Sequence, residues 1–271
     1  MEIFGNDWIL GDFRASDYGL VLASFTYDGN SDDELGYKTS ATEEFVGKKP
    51  VSVYLSEKHE DKLRPQITLI KNQDLFSQDM MGFTEKECRE ILRILTGIKG
   101  YQWMKVDTLS GGENIWFRTK LNSISYKRVA GKTVGFIFDT ECDSYYGYSE
   151  KDSVSINAIS DTPFYIYNNT DDLVNYILPT VSITSHSDNA SINLMNETDN
   201  SWTTEFKNTR KNETLFIDSD SEILSSDINH SLLLDDFNLH FPRLVPGMNK
   251  YVCSCDATIV FKFRVPRKVV L

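Results

Sequence analysis

Short runs of alternating polar and apolar residues, broken every ten to twenty residues or so by turn-forming clusters, constrain this chain most. Side chains on a strand alternate between its two faces, so such runs read as half-buried strands. Trp116–Tyr126 and Thr133–Thr140 alternate in this way on either side of Ala130-Gly131. Gly131 can take the positive φ that a tight turn needs, which predicts a β-hairpin over 116–140. Val51–Leu55 and Gln66–Ile70 are further strand candidates. After residue 150, β runs recur at Phe164–Tyr167, Val181–Thr184, Ser191–Leu194, Thr214–Ile217, Tyr251–Cys255 and Thr258–Val265. Strands this short, with no helix among them, predict a sandwich or closed barrel.

One segment breaks the pattern. Thr84 suits an N-cap, Glu87 is its capping-box partner three residues on, and Phe83 and Cys88 occupy the staple positions. Cys88, Ile91, Leu92, Leu95 and Ile98 fall on one face, with Arg89, Glu90 and Arg93 outside it. Gly97 and Gly100 offer stops, so a helix is expected over 84–97. The fold class is therefore mainly β with one clear helix (α+β). The polar run from Glu150 to Ser153, after the aromatic cluster Tyr145-Tyr146-Gly147-Tyr148, reads as a linker. The expected domains are 1–155 and 156–271.

Charge narrows the functions open to such a chain. Its 28 basic and 40 acidic residues give −12, and both parts on either side of residue 150 are net acidic. Wrapping nucleic acid requires clustered Lys and Arg, so no such role is expected. The opening MEIFGNDWIL lacks the basic and apolar regions of a signal peptide, and no apolar window is long enough to span a bilayer. Cys88, Cys142, Cys253 and Cys255 are too scattered for a disulfide framework, which points to synthesis in a reducing cytoplasm. The sequons at Asn168, Asn196 and Asn212 would matter only on a secretory route.

Motifs for chemistry are incomplete in this sequence. Gly131-Lys132-Thr133 resembles the end of a phosphate-binding loop, but Tyr126 stands where the first glycine belongs and the context is a hairpin. Asp28, Asn30, Asp32 and Glu34 match the odd positions of a calcium loop, yet Asp33 and Thr39 replace its turn glycine and bidentate glutamate. Asp218, Asp220 and Glu222 begin a second series that fails at Ile223 and Asn229. His59, His186, His230 and His240 show no metal spacing, and Cys253 and Cys255, on one face of a strand, have no second ligand pair nearby. A galectin-type sugar pocket takes a His-x-Asn-x-Arg set followed by Trp-x-x-Glu. Here Trp202–Glu205 precedes His240–Arg243 and the middle Asn is missing, so no such pocket is expected. The chain is expected to be no enzyme, with no catalytic, cofactor-binding or metal residues and no cofactor.

From end to end the sequence resembles the distal tail protein (Dit) family of long-tailed phages infecting Gram-positive bacteria. Ser16-Asp17-Tyr18-Gly19-Leu20-Val21 is similar to the family's entry motif. The capped helix is followed by the strand-rich stretch from Trp103 to Asp139 and by Cys142-Asp143-Ser144-Tyr145-Tyr146-Gly147-Tyr148, like the family's domain-closing segment without its proline. Tyr165–Thr170 with Leu178–Ile183 resembles the start of the second domain, and Phe241-Pro242-Arg243-Leu244 with Pro246-Gly247-Met248-Asn249 resembles its F-P-x-L-x-P-G-x-N segment.

The resemblance implies an N-terminal ring-forming belt domain and a C-terminal galectin-like β-sandwich. It implies a homo-hexamer at the distal end of the virion tail. That ring would join the tail tube protein to the tail-associated fibre or lysin protein and to receptor-binding proteins, with DNA only as passing cargo and no membrane anchoring. An acidic wall suits such a conduit, because it repels the passing duplex. The exposed edge of the 116–140 hairpin is the expected assembly element. A carbohydrate-binding or hydrolase-accessory jelly-roll protein is the alternative reading.

Overall fold

Alternation across the chain closes into antiparallel sheets in a computed structural model, which describes residues 7–23, 39–47, 51–59, 62–107, 114–188 and 190–268. The described residues form two compact units that part between Tyr148 and Ser149. The division expected at 155/156 would cut a strand, Asp152–Ala158, which pairs along its length with Ala257–Phe263. Its exposed first residues, Asp152 and Ser153, fall in the polar run that reads as a linker, while Val154, Ile156 and Ala158 turn inward.

The first unit contains β1 (Asp7–Leu10), β2 (Phe13–Arg14), β3 (Leu20–Leu22), β4 (Thr39–Glu44), β5 (Val53–His59), β6 (Gln66–Lys71), α1 (Glu85–Gly97), β7 (Gln102–Asp107), β8 (Trp116–Val129), β9 (Lys132–Cys142) and β10 (Gly147–Tyr148). Its main sheet runs β2-β1-β7-β8-β9-β6-β3. Trp8, Ile67, Leu69, Phe117, Phe136 and Phe138 bury their side chains on this sheet together with Ile91 and Leu95 of α1. Ala130 (φ 47°) and Gly131 (φ 79°) make the two-residue turn between β8 and β9, as two successive positive φ values must in a hairpin of type I′.

The hairpin is not a simple edge. β6 covers β9 from Gly135 to Asp139, and β7 covers β8 from Trp116 to Thr119. Among the described residues, β8 beyond Thr119 has no strand on its second side, and β6 does not reach residues 132–134 or 140–142 of β9. β4 and β5 behave differently: among the described residues they pair only with each other. Phe45, Val46, Val51, Tyr54 and Leu55 on this ribbon are all at least half exposed. Isolated two-stranded ribbons are at best marginally stable, and this one exposes apolar groups that a packed unit would hide.

Helix α1 starts as its sequence dictates. Thr84 Oγ1 accepts from Glu87 N, and Glu87 Oε2 accepts from Thr84 N at 2.7 Å, completing the capping box. Ile91 and Leu95 are buried, and Phe83, Cys88, Ile94 and Ile98 pack against the same core. Leu92, expected on this face, instead lies on the flank toward the hairpin, half-buried beside Tyr126. Ile94 takes its place, because the sheet covers the opposite flank of the stripe. Leu92→Asp is accordingly expected to cost under about 1 kcal/mol in urea unfolding of the first unit. A loss of several kcal/mol would return Leu92 to the core.

The second unit is a sandwich of two antiparallel sheets. One runs β11 (Asp152–Ala158), β19 (Ala257–Phe263), β13 (Thr180–Ser185), β16 (Thr214–Asp218), β17 (Ile223–Ser226); the other runs β12 (Pro163–Asn168), β18 (Gly247–Cys253), β14 (Ala190–Asn196), β15 (Trp202–Thr209). Val181, Ile183, Leu215, Ile217, Ile259 and Phe261 from the first meet Ile166, Ile192, Leu194, Phe206 and Tyr251 from the second in one continuous core. Each strand alternates between buried and solvent-facing residues, as period two requires.

Candidate functional site

The family-like motifs turn out to be structural fasteners. Ser16 donates its backbone N–H and its hydroxyl to the buried Asp7 carboxylate at 3.0 and 2.8 Å. Gly19 follows with φ 65°, and a Cβ there would stand 2.8 Å from the Phe76 ring. A side chain at this position is therefore excluded twice, by handedness and by space. In the second unit, buried Asn249 accepts from Val245 N and Asn196 Nδ2, each at 2.9 Å, and donates to the carbonyls of Val245 and Gly247. Asn168 donates to the Leu244 and Val245 carbonyls. Three asparagines thus hold the irregular 243–246 segment, whose backbone finds no sheet partner beyond Leu244 with Ile177 among the described residues. Asn168 and Asn196, although sequons, are buried and bonded internally, so a glycan at either would require unfolding.

The metal candidates do not converge. The 28–34 acidic series lies outside the described residues, as does the side chain of His59. Asp218 Oδ1 accepts from the backbone of Asp220 and Ser221, so the second acidic series is the turn between β16 and β17. No group of three or more His, Cys, Asp or Glu capable of holding a metal occurs among the described residues. β18 ends at Cys253, and Cys255 sits in the turn beyond it rather than on the strand. The two thiols hydrogen-bond to each other, which lowers Cys253 and, with burial, raises Cys255. Gly131-Lys132-Thr133 lies at the tight turn of the hairpin.

The sugar-pocket residues meet despite their reversed order. β15 runs beside the 237–243 segment: Trp202 Nε1 donates to the Phe241 carbonyl at 2.9 Å, and Asn238 Nδ2 to the Thr203 carbonyl at 2.8 Å. Chain order therefore does not keep them apart, contrary to the sequence argument. Their geometry, however, is self-contained. The His240 ring stacks on Trp202 at 4.3 Å, and the Arg243 guanidinium lies 3.8 Å from the indole centroid and 4.2 Å from Tyr176. Arg243 is held by buried Asp199 at 2.5 Å. The indole already stacks on an imidazole and a guanidinium, and Glu205 is turned toward Lys207. This cluster reads as packing.

Sequence reasoning missed a buried ionic clasp, because Glu213 lies just before β16 while His230 and Asp236 lie on the loop after β17. His230 Nδ1 meets Glu213 at 2.7 Å and its Nε2 meets Asp236 at 2.9 Å. Glu213 also accepts from Arg210 N and the Ser226 hydroxyl, and Asp236 from Asn208. The clasp thereby ties the loop after β17 to β15, across the edges of the two sheets. Burial pulls the His230 imidazole down, but its bonds to Asp236 and Glu213 outweigh this and hold it above its usual 6.5. Burial pushes Glu213 up, but the bonds it accepts hold it below its usual 4.5; the His230 bond holds Asp236 below 3.8.

A raised base stabilises fully below its unfolded pKa and loses this as pH climbs through the folded value. Lowered acids stabilise above their unfolded pKa and lose this as pH falls. The clasp therefore contributes most between about pH 4.5 and 6.5. The second unit of the wild-type chain is expected to lose more Tm between about pH 6 and 9 than that of His230→Gln. Parallel pH profiles for the two proteins would contradict this.

With these geometries in place, comparison with known proteins identifies the fold. Residues 4–144 match the family model described as a phage tail protein N-terminal domain, and residues 146–263 one described as a phage tail C-terminal domain. No curated protein sequence matches. Among solved structures, the Dit protein of phage SPP1, described as a paradigm of the hub adsorption apparatus in phages infecting Gram-positive bacteria, is similar with a TM-score of 0.60 at 13% identity. That match covers 95% of this chain and 98% of the other. A chain of the phage p2 baseplate in its calcium-activated conformation has a TM-score of 0.58 at 10% identity, covering 98% and 99%. The strontium-bound form of that baseplate gives 0.56 at 11% identity, with the same coverage. The mainly β architecture with one helix is thus that of the Dit hubs, and this chain belongs to the phage tail protein family, with the N-terminal domain in its first unit and the C-terminal domain in its second.

Proposed function

We propose that this chain is a structural component of the tail tip, forming a hexameric ring hub in the virion. The ring joins the tail tube to the tail-associated fibre or lysin protein and serves receptor-binding proteins. The observation that carries this reading is the end-to-end correspondence with hub proteins, across both units and nearly all of each chain. The β4–β5 ribbon supports assembly through the first unit, because Phe45, Val46, Val51 and Leu55 are at least half exposed among the described residues. The second unit buries its own core and supports a module that folds independently of assembly. The net charge of −12 suits a channel wall that duplex DNA passes without sticking. No step of this role calls for catalysis, a cofactor or a metal.

Gold-labelled antibody against this chain should decorate the distal end of the tail in electron micrographs of particles. Label on the capsid, or along the whole tail, would refute the reading.

A second reading, a carbohydrate-binding module, draws on one observation. Tyr165 and Tyr167 point the same way from the edge strand β12 and are 57% and 61% exposed, a pair of rings placed to stack on a sugar. A glycan array that retains the wild-type chain but not Tyr165→Ala/Tyr167→Ala would favour it.

A further inference from the structure

A cleft of about 540 Å³ separates α1 from the tip of the β8–β9 hairpin in the first unit. Leu92 and Tyr126 line it with apolar surface, and Arg89, Arg93 and Arg128 supply positive charge; Glu85 also lines it. No carboxylate lies within ion-pair distance of the three arginines among the described residues, although Arg128 leans over the Tyr126 ring at 5.9 Å. Three cations share one apolar cleft on a chain whose net charge is −12. Among the described residues Glu85 is the one carboxylate lining the cleft, against three arginines.

The β4–β5 ribbon ends in the complementary chemistry. Glu43 and Glu44 close β4, and Phe45 and Val46 follow them, 70% and 52% exposed. Two carboxylates followed by two uncovered apolar side chains match an apolar floor rimmed by arginines.

We propose that residues 43–46 of one copy dock in the α1–hairpin cleft of a neighbouring copy. The proposal rests on ring assembly as read above and names its contact. Donor and acceptor surfaces lie at different places on the same chain, so the contact is heterologous and propagates head to tail, closing into a ring when the rotation allows. It also meets an electrostatic requirement. Copies carrying −12 each repel one another, and pairing acids on one with arginines on the next offsets that repulsion where they meet. Docking buries Phe45 and Val46 and places Glu43 and Glu44 against Arg89 and Arg93.

The test uses the full-length chain in native mass spectrometry. Arg89→Glu/Arg93→Glu and Glu43→Arg/Glu44→Arg, each with a wild-type circular dichroism spectrum and melt, should both lose the oligomer that the wild-type chain forms. Mixing the two variants should restore it. In the mixture each acidic tip meets an unmodified cleft and each basic tip meets a reversed one, so copies alternate around a ring of even number. If either variant still assembles as the wild type does, the contact is wrong while the ring reading stands. Failure of the mixture to reassemble would equally overturn the contact. A wild-type chain that stays monomeric at every concentration would overturn ring assembly and this contact with it.

Discussion

Lys71→Met is expected to lower the stability of the first unit by about 2–4 kcal/mol. The Lys71 side chain is only 6% exposed, yet its ammonium has every partner it needs. It donates to the carbonyls of Met80 and Gly82, both at 3.1 Å, and reaches Glu87 Oε1 at 2.8 Å. The rings of Phe76 and Phe83 lie 4.9 and 5.2 Å away. Lys71 ends β6, so this one cation fixes the irregular 72–83 segment and the start of α1 to the sheet. Methionine keeps the apolar stem but removes every donor, leaving two carbonyls without their partner. Glu87 is more than a third exposed, so its ion pair is screened and contributes the smaller share. Burial raises Glu87, but its bonds to Lys71 and Thr84 hold it below the usual carboxylate range. Urea unfolding followed by the fluorescence of buried Trp8 measures the loss. A change below about 1 kcal/mol would show that water replaces the ammonium without cost.

In the second unit, Asn249→Leu is expected to cost about 3–5 kcal/mol. Leucine has nearly the same size, so the loss isolates hydrogen bonding from packing. It removes four bonds at a site with no solvent exposure and leaves Val245 N–H, the Val245 carbonyl and Asn196 Nδ2 short of partners. The same segment also receives the Tyr251 hydroxyl, which donates to the Arg243 carbonyl at 2.7 Å. Asn249 therefore supports the whole turn between Arg243 and Gly247. Calorimetry should show the second unit's transition shifted down and the first unit's unchanged. A shift in the first unit alone would misplace the network.

Local signals were legible in the sequence, and long-range ones were not. The capping box at Thr84 and Glu87, the Ala130-Gly131 turn and the alternation of β8, β9, β13 and β19 each depend on residues within a few positions of one another. The structure reproduces them almost residue for residue. Leu92 was misread because helical spacing defines a stripe but not how far the sheet covers each flank. The run from Glu150 to Ser153 reads as a linker although β11 begins inside it, because Asp152 and Ser153 are both polar and exposed. The His230–Glu213 pair and the meeting of Trp202 with His240 and Arg243 join residues some 17 to 41 positions apart in sequence, across loops that no periodicity describes. The α1–hairpin cleft escaped for the same reason: Arg89 and Arg93 read as a solvated helix face until Arg128 and Tyr126 were seen beside them. Reading function from such a chain rested on motifs that proved to be fasteners. Gly19, Asn249 and the F-P-R-L segment carry the family likeness through the tight turn, the internal bonds and the Leu244–Ile177 bridge that they supply.

Native mass spectrometry of the purified full-length chain, across a range of protein concentrations, tests the hub assignment most directly. A ring of six copies, surviving in moderate salt and giving a single closed species, is the expected result. A chain that remains monomeric throughout, or that stops at a twofold dimer, would contradict it.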